Sequence, residues 1–423
     1  MLVCRNGRAD SLVLEGRALD PGRGIDACLR VVVEDGIVAA LEPGSDARLV
    51  LAPAFVDPHV HLRTPGREDE ETLLSGTSAA AAGGFCAILA MPNTEPVVDS
   101  AAVLGSLVER ARDEALVPTG FLAAITKGQR GEELTEMAEL AAAGALGFTD
   151  DGLPVAAAGV LRQALRYAGL TRLPLALHCE EPTLSRGGHA HEGPVSAELG
   201  LGAIPSLAES LMVRRDLALA GLEEYPVHLM HLSARESVEA LEQALAEGVP
   251  ATAEVTPHHL VLTDEAVRSL DPNLKMNPPL RSEDDREALR AALRSGTISC
   301  IATDHAPHAR HEKDVPFEEA PFGVTGLETA FAALYTHLVV PGLLTLETLL
   351  ERMSSGPARV FGLDEPRLEV GARANLVALD LEAEWTVTED GFRSRSANSW
   401  LLGRRLRGRV VRTIADGREV FAE

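Results

Sequence analysis

The stretch VLAPAFVDPHVHLRTPG, residues 50–66, decides how the chain is read. An apolar run ends at Asp57-Pro58, and two histidines, His59 and His61, follow where it gives out, with Arg63 just beyond. A short, continuous apolar run marks a strand buried on both faces, as in a parallel sheet. Seven similar runs follow: GFCAILAMPN (84–93), TGFLAAIT (119–126), ALGFTDDG (145–152), LPLALHCE (173–180), VHLMHLS (227–233), ATAEVTPHH (251–259) and ISCIATDHAPH (298–308). Between them lie amphipathic segments such as ELTEMAELAAAG (133–144) and RESVEALEQALAEG (235–248). Eight apolar strands alternating with helices predict an α/β fold, a closed parallel (β/α)8 TIM barrel, over residues 51–365. An open doubly wound sheet would want a Gly-rich phosphate loop after the first strand, and none occurs there.

The two ends have a different texture. VVVEDGIVAALEPG (31–44) places an Asp-Gly turn between β-type runs, a hairpin signal. EVGARANLVALDLE (369–382) and RGRVVRTIADGREVFAE (407–423) alternate and are rich in Val with Gly turns. Residues 1–50 and 366–423 are therefore expected to build one small β-sandwich-like domain from both termini.

Bulk properties bound the function. A chain of 423 residues with 46% apolar content suits one large domain and one smaller. A formal charge of −24 argues against nucleic acid as a partner, which needs a concentrated basic face. The longest apolar run, AAAAGGFCAILAM (79–91), is broken by Gly83-Gly84 and closed by Pro92, so no membrane span is expected. MLVCRNGRAD lacks the pattern of a signal peptide. Five scattered cysteines without a CxxC read as reduced thiols of a cytoplasmic protein.

In a (β/α)8 barrel the site lies at the C-terminal strand ends. The first run ends in His59 and His61, the fourth in Asp150 and Asp151, the fifth in His178, the sixth in His231, and the eighth in Asp304 with His305 and His308 after it. Residues two apart on a strand share a face, so His59 and His61 project together. One histidine at a strand end is more often packed than ligating. Four histidines and two carboxylates at one mouth form a ligand set for two divalent metals, zinc by donor type, which turn water into a nucleophile at neutral pH. Alternation leaves open which of Asp150 and Asp151 faces inward. His258 and His259 are read as supporting or structural, and His189, His191, His311 and His337 as solvated or structural. If the chain stays extended, Arg63 faces the same mouth and can clasp a carboxylate with two hydrogen bonds.

DPHVHLRTPG, GGFCAILAMPNTEP (83–96), FTDDG (148–152), HCE (178–180), HLSA (231–234), KMNPPLR (275–281) and IATDHAPH (301–308) resemble the dihydroorotase branch of the amidohydrolase superfamily, in its bacterial class I form. The resemblance spans essentially the whole chain. It implies reversible cyclisation of N-carbamoyl-L-aspartate to L-dihydroorotate, a step of de novo pyrimidine biosynthesis, with one or two Zn2+ ions per subunit. It places His59, His61 and Asp304 on one metal and His178 and His231 on the other. Asp151 would bridge the two, where many relatives use a carboxylated lysine. None of this chain's three lysines (Lys127, Lys275, Lys313) ends the fourth run. Asp304 would be the general acid/base of a zinc-activated water. His61, Arg63, Asn93, Asn277, His308, Phe322 and Gly323 would bind the substrate, and residues 309–323 would form a mobile loop over it. A homo-oligomer is implied, as is docking on aspartate carbamoyltransferase. Two alternatives stand beside this reading: another cyclic amidohydrolase (dihydropyrimidinase, hydantoinase or allantoinase), or a scaffold or partner subunit of aspartate carbamoyltransferase.

Overall fold

The computed structural model describes residues 1–45 and 48–423. Asp46 and Ala47, inside the expected N-terminal β segment, lie outside the described residues. The chain opens with strands β1 (Leu12–Asp20), β2 (Ile25–Glu34), β3 (Ile37–Pro43) and β4 (Val50–Pro53). The middle carries β5 (Phe55–Val60), β6 (Phe85–Ala90), β7 (Thr119–Phe121), β8 (Leu175–Leu177), the short pair β9 (Ala190–His191) and β10 (Ala203–Ile204), then β11 (Val227–Leu229), β12 (Ala251–Val255) and β13 (Cys300–Ile301). It ends with β14 (Leu376–Thr386), β15 (Arg405–Ala415) and β16 (Arg418–Ala422).

The barrel forms from two parallel arcs, β5-β6-β7 and β8-β11-β12-β13. Isolated parallel bridges join the arcs. Phe148 pairs with Ala123 on one side and Leu175 on the other, and Val60 pairs with His305. The fourth strand position is thus one bridged residue, because ALGFTDDG turns polar straight after Phe148. Its amide still donates to Pro174 O (3.0 Å) and its carbonyl accepts from Ala176 N (2.9 Å). At the seam between first and eighth positions, His61 N donates to His305 O at 2.8 Å. Asp57, fully buried, locks that seam by accepting from Thr303 N (3.1 Å), Thr303 Oγ1 (2.5 Å) and His59 N (3.2 Å). Helices such as Leu73–Ala82, Ala101–Glu114, Ala158–Thr171, Ser206–Glu223, Arg235–Ala246 and Glu283–Ser295 connect successive strands, the expected alternation.

Both termini meet in one seven-stranded sheet of order β16-β15-β14-β4-β1-β2-β3. All its pairings are antiparallel except β1 with β4. The predicted hairpin is present: Asp35 and Gly36 (φ 49° and 76°) turn the chain between β2 and β3, and both central residues of such a turn need positive φ. Leu14, Val31, Val33, Val38, Leu51, Leu376 and Ile414 form the sheet's own core. β4 passes through Ala54 directly into β5, so the sheet anchors the strand that carries His59. The five cysteines form no disulfide; Cys86, Cys179 and Cys300 are buried, while Cys4 and Cys28 are only half-buried. Among the described residues no helix is long and apolar enough to cross a membrane.

Candidate metal centre and active site

The strand ends bring six side chains to one point. His59, His61 and Asp151 present ligand atoms within 4.8 Å of one another, and so do Asp151, His178 and His231. Asp151 belongs to both triads. Its Oδ2 lies 3.6 Å from His59 Nε2 and 3.5 Å from His61 Nε2. Its Oδ1 lies 3.5 Å from His231 Nε2 and 3.7 Å from His178 Nδ1. Asp304 Oδ1 stands 3.0 Å from His61 Nε2 and 3.5 Å from His59 Nε2. Asp150 points away and accepts from Ile125 N (2.8 Å), Thr126 N (3.1 Å) and the Thr126 hydroxyl.

The proton inventory fits cations at this point. His59 Nδ1 donates to Glu254 Oε1 (2.8 Å), His61 Nδ1 to Asn93 Oδ1 (2.9 Å), and His178 Nε2 to Glu180 Oε2 (2.9 Å). Each ring's other nitrogen therefore aims a lone pair at carboxylates or at another imidazole, with His178 Nδ1 3.0 Å from His231 Nε2. His59 Nε2 and His231 Nδ1 are buried without a hydrogen-bond partner. Lone pairs and carboxylates so close repel unless positive charge sits among them. The same field shows in proton affinities. Burial works to lower the His59 pKa, but Asp151, Asp304 and Glu254 together raise it well above the ordinary value. Burial likewise opposes ionisation of Asp151 and Asp304, and the neighbouring imidazoles outweigh it, holding both below the usual carboxylate range. Both triads have the composition of a divalent-metal site.

Three site residues hold unusual backbone. Arg63 (φ 55°), His231 (φ 32°) and Asp304 (φ 49°) are all left-handed without being glycine. Such residues cost about 1–3 kcal/mol each and persist where the surroundings over-determine them. At Arg63 this corrects the sequence argument, since the chain leaves the extended conformation. Arg63 still stays beside the mouth. Its Nε pairs with Glu70 Oε2 (2.9 Å) and donates to Pro307 O (3.1 Å), and one terminal nitrogen lies 3.4 Å from His308 Nε2.

The other expected substrate contacts already hold internal bonds. Asn93 spans the His/Asp cluster, accepting from His61 and donating from Nδ2 to Asp151 Oδ2 (3.3 Å). Asn277 Nδ2 donates to Glu180 Oε2 (2.7 Å). Phe322 O accepts from His308 Nε2 (2.8 Å), and Gly323 N donates to Lys275 O (2.9 Å). Gly323 has φ +114°, and an added Cβ would sit 2.6 Å from Ala306 Cβ, so only glycine fits there.

Comparison with known proteins places this architecture. A profile described as "Dihydro-orotase-like" matches residues 48–237. A dihydroorotase of Anaeromyxobacter dehalogenans (strain 2CP-C) is 46% identical over 428 residues, covering 98% of this chain and 99% of that protein. One from Geobacter sp. (strain M21) is 44% identical over 420 residues, covering 97% and 99%. The chain belongs to the dihydroorotase family. Among solved structures, the L-hydantoinase (dihydropyrimidinase) of Arthrobacter aurescens superposes with a TM-score of 0.86 at 24% identity, covering 97% of this chain and 96% of that one. That likeness supports the shared fold, a barrel with a β sheet built from the termini.

Within this dihydroorotase-family framework, several supporting residues escaped the motif reading. Glu254 and Glu180 hold the outer nitrogens of His59 and His178. Glu71 accepts from His305 Nε2 (3.2 Å), Arg395 N (3.0 Å) and the Ser394 hydroxyl. Asn398 accepts from His308 N (3.0 Å) and donates to Ala306 O (3.1 Å). Lys275 and Lys313 fasten residues 309–323. Lys275 Nζ donates to Glu318 O (2.8 Å) and lies 4.9 Å from the centre of the Phe322 ring, while Lys313 Nζ donates to Pro272 O (3.1 Å) and Pro321 O (2.7 Å). His258 is buried beside the site, and His259 bonds Thr256 Oγ1 and Pro278 O, a structural role. A carboxylate within an otherwise apolar run, as in ATAEV (251–255), is the signal that could have revealed Glu254.

Proposed function

We propose that the chain is a zinc-dependent dihydroorotase, interconverting L-dihydroorotate and N-carbamoyl-L-aspartate. The observation that carries the reading is the six-residue cluster of His59, His61, Asp151, His178, His231 and Asp304 with a guanidinium, Arg63, at its edge. Full-length relatives named dihydroorotase at 41–46% identity support it. His59, His61 and Asp304 would hold one ion, His178 and His231 a second, with Asp151 shared. When bound, Zn2+ supplies Lewis-acid polarisation and an acidified water.

The chain's own groups do the remaining work. Asp304, ionised at neutral pH, takes a proton from the attacking water and returns it to the leaving amide nitrogen. Arg63 and His308 receive the ring carboxylate, which dihydrouracil and hydantoin lack. Asn93 orients His61 and lies close enough to share that carboxylate. Asn277 and the Phe322-Gly323 backbone face the amide edges, exchanging internal hydrogen bonds for substrate ones. The reading is tested by L-dihydroorotate hydrolysis, followed as ultraviolet loss of the ring amide. The Asp304→Ala variant is expected to show none.

The same reading carries a cytoplasmic location, supported by five cysteines that form no disulfide, and a homo-oligomer, supported by exposed Leu207 and Leu211 one turn apart on the helix Ser206–Glu223. Docking on aspartate carbamoyltransferase is testable by co-sedimentation of the two purified proteins.

A further inference from the structure

The bottom of the metal cluster rests on a buried chain of hydrogen bonds that none of the metal ligands accounts for. Glu254, on β12, uses both carboxylate oxygens. Oε1 accepts from His59 Nδ1 (2.8 Å) and from the backbone N–H of His231 (3.3 Å). Oε2 accepts from His228 Nε2 (3.0 Å). His228 Nδ1 in turn lies 2.9 Å from Thr252 Oγ1. Strand pairing builds this row, since β11 and β12 run in register with His228 opposite Thr252. His59, Glu254 and His228 are each at most 1% exposed.

The chain of donors has one self-consistent direction. A carboxylate only accepts, so both imidazoles must carry hydrogen on the nitrogens that face Glu254. For His59 this puts the proton on Nδ1 and leaves Nε2 as a bare lone pair aimed between Asp151 and Asp304. For His228 it puts the proton on Nε2, and Nδ1 accepts from the Thr252 hydroxyl. Every donor in the row Thr252, His228 and His59 that faces this chain then has an acceptor, and His59 Nε2 is left without a hydrogen-bond partner. Without Glu254 the His59 ring could turn over or carry its proton on Nε2 instead of Nδ1, and either change would spoil it as a ligand.

We propose that Glu254, and through it His228, are positioning residues that fix the tautomer and orientation of His59 and so set the affinity of the centre for its divalent cation. The inference rests on the metal-centre reading above. His228 also packs edge-on against Phe361, with ring centres 5.4 Å apart. An apolar ring can occupy that place, so His228→Phe removes the hydrogen bonds while keeping the packing.

The experiment measures cation binding by the full-length protein, stripped with chelator and titrated with Zn2+ against a chromophoric competitor. The visible spectrum of the Co2+ form is recorded alongside. The parent is expected to bind tightly. Glu254→Leu should bind about 10–100-fold more weakly, the usual effect of losing a partner behind a metal-bound histidine. His228→Phe should lose about tenfold by the same route and show an altered Co2+ spectrum. His228→Gln, which keeps a donor, should recover most of the affinity. If His228→Phe does not fold, Thr252→Val interrupts the same chain and should weaken binding in the same direction. Parental affinity and an unchanged Co2+ spectrum in Glu254→Leu and His228→Phe would overturn the inference while leaving the metal centre intact. A parent that binds no cation would overturn the metal-centre reading itself, and the inference with it.

Discussion

The Nε of Arg63 lies 2.9 Å from Oε2 of Glu70, a carboxylate with no exposed surface. Arg67 reaches the same carboxylate and also pairs with Glu312, and His308 Nδ1 sits 3.8 Å from Glu70 Oε1. The guanidinium proposed to receive the substrate is therefore held from behind by a buried carboxyl group, whose pKa burial pushes up to about 8 against the pull of Arg63 and Arg67. Removing it should have two separable effects. Arg63→Met is expected to weaken binding of carboxylate-bearing substrate by about 2–5 kcal/mol, the loss of one side of a desolvated charged pair. It should also lower stability, because Glu70 loses its partner. Adding Glu70→Gln should restore much of the melting temperature and none of the substrate affinity. Recovery of both, read from melts and from KM, would remove Arg63 from the substrate site.

Asp150 and Asp151 are adjacent and do opposite jobs. Asp151→Asn should lower cation affinity by at least about 10–100-fold and abolish most turnover, because its charge is shared by four imidazoles. Asp150→Ala should keep the cation and cost stability instead, about 1–3 kcal/mol for each buried donor left without an acceptor. Metal content and denaturant midpoints of the two variants check the assignment. A metal-free Asp150→Ala protein would reverse it.

How the strand-end residues converge was legible because the barrel puts strand ends together wherever the runs are found. His59, His61, His178, His231 and Asp304 each close an apolar run, and the structure joins them. The choice between Asp150 and Asp151 was not legible, since the fourth strand is a single bridged residue and supplies no alternation to read. Arg63 arrives at the mouth through a left-handed turn, and periodicity carries no information about that. Glu70, Glu180 and Glu254 are not legible in the sequence motifs, because a buried or half-buried carboxylate reads as a solvated one until its partners are known. Their partners lie 7, 97 and 195 residues away along the chain for the pairs with Arg63, Asn277 and His59.

Residues 309–323 should respond to pH through Lys313. Burial lowers its ammonium from an ordinary 10.5 to about 7. Between those values the unfolded chain binds more protons than the folded one, so this lysine makes stability rise with pH from about 7 to 10.5 and contributes no slope below. Lys313→Met should lose that rise. Denaturant midpoints of parent and variant from pH 6.5 to 9.5 give the comparison, and parallel curves would show that the ammonium is not desolvated.

Cation removal should be felt in the fold as well as the chemistry. The four imidazoles and two carboxylates are largely buried, so an ion that binds only the folded chain stabilises it by mass action, about 2.7 kcal/mol at a hundred times its Kd. Chelation is expected to lower the melting temperature reversibly, and Zn2+ to restore it. A melting temperature indifferent to both would mean that no such ion binds the folded chain.

The central claim, a ring amidohydrolase tuned to a carboxylate-bearing ring, is tested most directly by kcat/KM of the purified, Zn2+-loaded chain on L-dihydroorotate and on dihydrouracil, measured side by side. The expected result is clear hydrolysis of L-dihydroorotate and little of dihydrouracil, with the preference collapsing in Arg63→Met. Faster turnover of dihydrouracil, or no turnover of either ring by cation-loaded protein, would contradict it.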